Sequence, residues 1–176
     1  MVPPLKKGAD RAARWDLWMH AAPEEMKPWE TNLGGFELWA NGLIMPKGKA
    51  TVRITEAKSA IGNQNIEIIS DPIMVDGEWQ MTGAVWQTVH TVPGKRYEFL
   101  FFHSERPGAH STLTVSINGT VLTIIKEDGT AYGTLHWEQF KTNFAADNAF
   151  TTIKFSDETD VLDQGTHLDG VVLKAK

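Results

Sequence analysis

Between Thr112 and Ile117 apolar and polar residues alternate, with Leu113, Val115 and Ile117 on one face and Thr112, Thr114 and Ser116 on the other. A period of two is that of a β-strand with one buried face. Asn118-Gly119 follows, the pair best able to take the positive φ angles of a two-residue turn, and the β-rich run Thr120 to Ile125 returns. Upstream, Tyr97 to Phe102 is almost continuously apolar and predicts a strand with no solvated face. That run ends in His103, Ser104, Glu105 and Arg106 before the turn at Pro107-Gly108. The pattern predicts a β-sandwich with a polar site where its buried central strand terminates.

The same reading from Phe36 onward predicts strands at 36–40, 51–55, 65–70, 84–91, 96–103, 111–117, 120–126, 135–142, 150–155 and 168–173. Turn signals such as Asn41-Gly42, Asp76-Gly77, Pro93-Gly94 and Asp128-Gly129 separate them. Short strands with no helix between them predict an all-β fold, an antiparallel sandwich or jelly roll. Residues 1–28 differ. Asp10 to His20 reads either as a short helix capped by Asp10, with Ala12, Trp15, Trp18 and Met19 on one stripe, or as an extended arm. In both cases its apolar side chains predict packing across a sheet edge or onto another chain. The organisation expected is an N-terminal arm over 1–28 and one sandwich domain over 29–176.

Composition narrows the function. A length of 176 residues suits one domain with a full core. The net charge of −5 argues against nucleic acid or an anionic membrane surface as the main partner. With no cysteine, disulfide scaffolds, thiolate metal sites and cysteine nucleophiles are excluded. The opening Met-Val-Pro-Pro-Leu-Lys-Lys-Gly has no apolar stretch of secretory-signal length, which predicts a chain not exported by a cleaved signal. Nor does any run approach the length of a membrane span. Seven tryptophans stand out, read either as plugs between the sheets or as stacking surfaces.

Several phrases occur in an order that resembles the galactose-binding-like jelly-roll superfamily. They are Trp29-Glu-Thr with Gly35-Phe-Glu-Leu-Trp-Ala-Asn-Gly42, Gly62-Asn-Gln-Asn-Ile-Glu-Ile-Ile69, Trp86-Gln-Thr-Val and Val92-Pro-Gly-Lys-Arg-Tyr97. Phe101-Phe-His-Ser-Glu-Arg-Pro-Gly108, Trp137 to Phe144 and His167-Leu-Asp-Gly-Val-Val-Leu173 complete the set. The branch most similar is the uncharacterised-function group of plant cell-wall and bacterial surface proteins, which is like a carbohydrate-binding module. The resemblance implies a jelly roll, and it places the loop of His103 and Arg106 near the strand of Glu67. The resemblance also implies a first strand whose Glu, with an acid in the last strand, can hold a structural calcium. Here the opening Pro3-Pro-Leu-Lys-Lys-Gly-Ala-Asp10 lacks that Glu, Asp169 matches the last-strand acid, and Gly170 replaces a second one.

The chemistry expected at the strand ends follows from residue type. Glu67 sits within Ile66-Glu67-Ile68-Ile69 and needs a cationic or donor partner if buried. His103 and Arg106 are the candidates, and Glu37 and Trp39 share a face of their own strand. Together Glu37, Trp39, Glu67, His103 and Arg106 form either a site for a polar, hydroxylated ligand or a buried ion-pair network that pins strand ends. His103, His110, His136 and His167 lack zinc spacing, and Asp157 to Asp163 lacks the order of a calcium loop. The G-x-S-x-G, phosphate-loop and H-E-x-x-H motifs are absent, leaving only Glu37 with Glu67 as a conceivable glycosidase pair. The expectation is a non-catalytic module without cofactor, unless Asp169 holds a structural calcium. It would bind glycan or attach to a surface, outside the cell rather than in the cytoplasm. The alternative is a structural component of an assembly, such as a virion decoration or tail protein, packing against neighbouring subunits as a homo-oligomer.

Overall fold

The computed structural model describes residues 29–31, 36–40, 58–62, 64–68, 72–75, 78–81, 83–159 and 164–176. Twelve strands lie within them: β1 (Glu30–Thr31), β2 (Phe36–Ala40), β3 (Gln64–Ile68), β4 (Pro72–Val75), β5 (Glu78–Met81), β6 (Gly83–His90), β7 (Arg96–Glu105), β8 (His110–Ile117), β9 (Thr120–Asp128), β10 (Glu138–Ala145), β11 (Phe150–Thr159) and β12 (Thr166–Ala175). One five-stranded sheet has the order β1-β6-β11-β8-β9 and the other β10-β7-β12-β3-β2, while β4 and β5 form a separate hairpin. Every pairing is antiparallel. From β6 to β12 the chain repeatedly crosses between the sheets, as a jelly-roll sandwich does.

The alternation read in the sequence is what the sheets bury. Along β7, Tyr97, Phe99, Phe101, His103 and Glu105 are buried, while Glu98, Leu100 and Phe102, which alternate with the first of them, are half-buried. Leu113 and Val115 of β8 face them, as do Ile153 and Phe155 of β11, and Ile66, Ile68 and Leu168 close the core. Phe101 meets Phe155 edge-on at 5.1 Å between ring centres. Each such side chain contributes roughly 1.5–3 kcal/mol by leaving water. Trp29 plugs this core, its ring 6.2 Å from that of Phe155. The β8–β9 turn carries φ of 50° at Asn118 and 81° at Gly119, the geometry that the Asn-Gly pair predicts.

The hairpin of β4 with β5 is additional to the strands read from the sequence. The acidic stretch from Asp157 begins inside β11, and Asp157 is fully buried. It follows Ile153 and Phe155 at a spacing of two and so points inward. The N-terminal arm, with Trp15, Trp18 and Met19, and the strand expected at 51–55 lie outside the described residues.

Candidate functional site

The end of β7 divides its polar residues between two environments. His103 has the parity of Phe99 and Phe101, so its ring lies on the core side, 5.7 Å from that of Phe101. There its Nδ1 meets the Glu127 carboxylate of β9. It does not join Glu67, as expected from the sequence; the pleat turns it to the opposite face of the sheet. Arg106, just past the strand, does reach Glu67: its Nη1 donates to Oε1 at 3.1 Å and Oε2 at 3.4 Å.

Glu67 sits in β3, between β2 and β12, in register with Glu37 on one side and His167 on the other. It is fully buried and also accepts the Gly165 N–H at 3.0 Å. His167 Nε2 lies 3.8 Å from Glu67 Oε2, and His167 Nδ1 is 2.8 Å from Asn65 Oδ1. Since an amide oxygen only accepts, Nδ1 carries the hydrogen. Burial, and then the Arg106 charge, push His167 down to about 3, so the ring is neutral near pH 7. Asn65 Nδ2 donates to Ser59 Oγ at 3.0 Å. Trp137 stands edge-on to His167 at 6.4 Å and donates its indole N–H to the Lys58 carbonyl at 2.5 Å. Residues 58–59 and Trp137 thus flank this part of the sheet.

This cluster holds strands together. The Glu67 carboxylate is closed to solvent, whereas the Arg106 side chain is 24% exposed. Glu37 and Trp39 stand beside Glu67 and Asn65 in strand register, and their side chains lie outside the described part of the structure.

Both carboxylate oxygens of Asp169 accept backbone N–H groups. Its Oδ2 accepts the Ile61 N–H at 2.7 Å and its Oδ1 the Gly170 N–H at 2.6 Å. Burial raises its carboxyl above the usual range against the pull of those donors. Among the described residues no three acidic or imidazole side chains converge as a metal site, and the N-terminal segment lies outside them. Gly170 has φ of 56° at an irregularity in the β12–β7 pairing. That left-handed backbone explains glycine where relatives were expected to carry an acid.

On the core side of β7 a cleft of about 370 Å³ opens between the strand's end, β9, a 3₁₀ turn at Gly129–Ala131 and the start of β10. Glu105, Lys126, Glu127, Asp128, Tyr132, His136 and Glu138 are among its lining residues. Tyr132 is 42% exposed and stacks on His136, the rings 4.3 Å apart and 1° from parallel. Asp128 caps the turn, accepting from Thr130 Oγ1 at 2.5 Å and Thr130 N at 2.9 Å, and these bonds hold its carboxyl below the usual range. Glu105 behaves oppositely: burial and the charges of Asp157 and Glu127 push it up to about 7. Such a cleft offers an apolar plate bordered by hydrogen-bond acceptors. Sequence reasoning missed Tyr132 and the role of His136 because they lie in an irregular segment where no periodicity reveals a shared surface; the Asp128-Gly129 turn was the only signal.

The family described as "Protein of unknown function (DUF642)" matches residues 78–174. Among solved structures, the K1 cleaved adhesin domain of Lys-gingipain from Porphyromonas gingivalis W83 has a TM-score of 0.54 at 12% identity, covering 84% of this chain and 90% of that one. The CBM22-1–GH10 modules of Clostridium thermocellum xylanase 10B, complexed with xylohexaose, score 0.52 at 14% identity over 84% of this chain and 26% of that one. TmCBM61 in complex with β-1,4-galactotriose scores 0.50 at 12% identity over 85% and 90%. At identities this low the structural likeness shows a shared sandwich fold and nothing further. No curated protein matches the chain.

Proposed function

The chain belongs to the DUF642 family, and from its geometry we propose that it is a non-catalytic carbohydrate-binding module whose glycan seats in the cleft beside Tyr132. The exposed Tyr132 plate, fixed in parallel stacking on His136, carries this reading. A pyranose ring presents an apolar face to such a plate and hydroxyls to its surroundings, and Glu127, Asp128 and Glu138 border the plate as acceptors. Two structures of the same fold hold xylohexaose and β-1,4-galactotriose, which supports the class of ligand without naming it. The burial of Glu67 against Arg106 speaks against a Glu37–Glu67 glycosidase pair, because a substrate has no access to that carboxylate.

An extracellular location suits a glycan binder, and no helix among the described residues is long and apolar enough to cross a membrane. No observation favours the role in a virion or the oligomer. Affinity electrophoresis against xylan and galactan, with wild type and Tyr132→Ala, tests the reading. Loss of the plate should weaken binding at least tenfold, equivalent to about 1.4 kcal/mol. Undiminished binding by Tyr132→Ala would overturn it.

A further inference from the structure

We propose that the floor of this cleft is a proton-dependent clasp between the two sheets, closed while the Glu105 carboxyl is protonated and opened when it ionises. Four buried side chains form it. Glu105 of β7 and Thr166 of β12 belong to one sheet, Ser111 of β8 and Asp157 of β11 to the other. Ser111 Oγ touches Glu105 Oε2. Ser111 Oγ and Thr166 Oγ1 are 2.6 Å apart, and Thr166 Oγ1 is 2.6 Å from Asp157 Oδ1.

Counting hydrogens shows that one of the two carboxyls is protonated. Three oxygen–oxygen contacts in series need three hydrogens, and two hydroxyls supply two. With both carboxyls ionised, Ser111 gives its hydrogen to Glu105 and Thr166 gives its hydrogen to Asp157. The Ser111–Thr166 contact is then left with none, and 2.6 Å between bare oxygens is repulsive. A proton on Glu105 Oε2 resolves this: it donates to Ser111, Ser111 donates to Thr166, and Thr166 donates to Asp157. Glu105 Oε1 remains free to accept the Arg106 N–H at 3.1 Å.

The surroundings place that proton on Glu105. Asp157 faces it from β11 and Glu127 from β9, the latter held by His103. Around the cleft stand Lys126, Asp128, His136 and Glu138. Burial and the two neighbouring carboxylates push Glu105 up to about 7, so the clasp titrates near neutrality. Ionisation removes the third hydrogen, sets two carboxylates against each other across the seam and loosens the cleft floor. A glycan that fits the closed floor therefore binds more tightly below pH 7 than above it, by reciprocal linkage. Only this consequence rests on the cleft being the glycan site.

Carbon-13 NMR of the side-chain carboxyls in the ligand-free full chain, with Glu105 assigned by comparison with Glu105→Gln, tests the clasp directly. A midpoint near 7 supports it, and one near the ordinary 4.5 overturns it. Glu105→Gln keeps a neutral donor toward Ser111, so the stability of wild type relative to this variant should fall as pH rises from 4.5 to 7. A constant difference overturns the proposal. Titration with xylohexaose and β-1,4-galactotriose at about pH 6 and about pH 8 then reads the consequence, which should vanish in Glu105→Gln. Equal binding at both values overturns regulation and leaves the glycan reading standing. A titrating clasp with no glycan bound at either pH supports the clasp and defeats the glycan reading.

Discussion

Arg106 and Glu67, 39 residues apart in the chain, form an ion pair in which one guanidinium nitrogen lies 3.1 Å and 3.4 Å from the two carboxylate oxygens. The arginine is partly exposed and the glutamate is not. The pair ties the β7–β8 turn to the middle of the opposite half of the same sheet, and its carboxylate also holds the residue preceding β12 through Gly165.

Arg106→Ala should therefore destabilise the fold by about 3 kcal/mol, the lower end for a broken buried pair because the Gly165 N–H remains on the carboxylate. Replacing both partners together, as Arg106→Met with Glu67→Leu, should cost much less than the sum of the single changes. Chemical denaturation measures all three. A loss for Arg106→Ala within the scatter of ordinary surface substitutions would show that the pair does not hold the strands.

His167 sets the acid side of the stability profile. Its folded value of about 3 lies below the usual 6.5, so between them the unfolded chain binds a proton that the folded chain refuses. This contribution is fully present above 6.5 and is lost as pH falls toward 3. Glu105 acts in the opposite sense between 4.5 and 7, so the two offset one another where the windows overlap. Thermal melts of wild type and His167→Gln across this range should show the wild type losing stability relative to the variant on acidification. Parallel curves would mean that His167 is not held neutral.

Both carboxylate oxygens of Asp169 accept backbone N–H groups, and among the described residues no three acidic or imidazole side chains gather as a metal site. Melting temperature should be the same with and without a chelator. A fall of several degrees on chelation would place a metal at oxygens beyond these residues.

Much of this architecture was legible because period-two alternation is a direct consequence of the pleat. Leu113, Val115 and the Asn118-Gly119 turn announce the β8–β9 hairpin, and the apolar neighbours of Glu67 demanded the partner that Arg106 supplies. The same periodicity held information left unused. His103 follows Phe99 and Phe101, and Asp157 follows Ile153 and Phe155, at spacings that send both inward. The resemblance implies that the loop of His103 lies near the strand of Glu67, but parity along β7 sends the His103 ring to the core side, where it meets Glu127. Tyr132 and His136 were illegible for a different reason: their stacking depends on the path of an irregular segment, which no repeat encodes. The proton on Glu105 depends on oxygens from four strands, and only their coordinates bring the hydrogen count into view.

The central claim is the location of the ligand, and NMR perturbation mapping during titration with xylohexaose or β-1,4-galactotriose tests it most directly. The account predicts shifts at Tyr132, His136, Glu138 and the Gly129–Ala131 turn, with Glu67 and His167 unmoved. Shifts confined to β2 and β3, around Glu37, Trp39 and Asn65, would contradict it and return the site to the opposite face of the sheet.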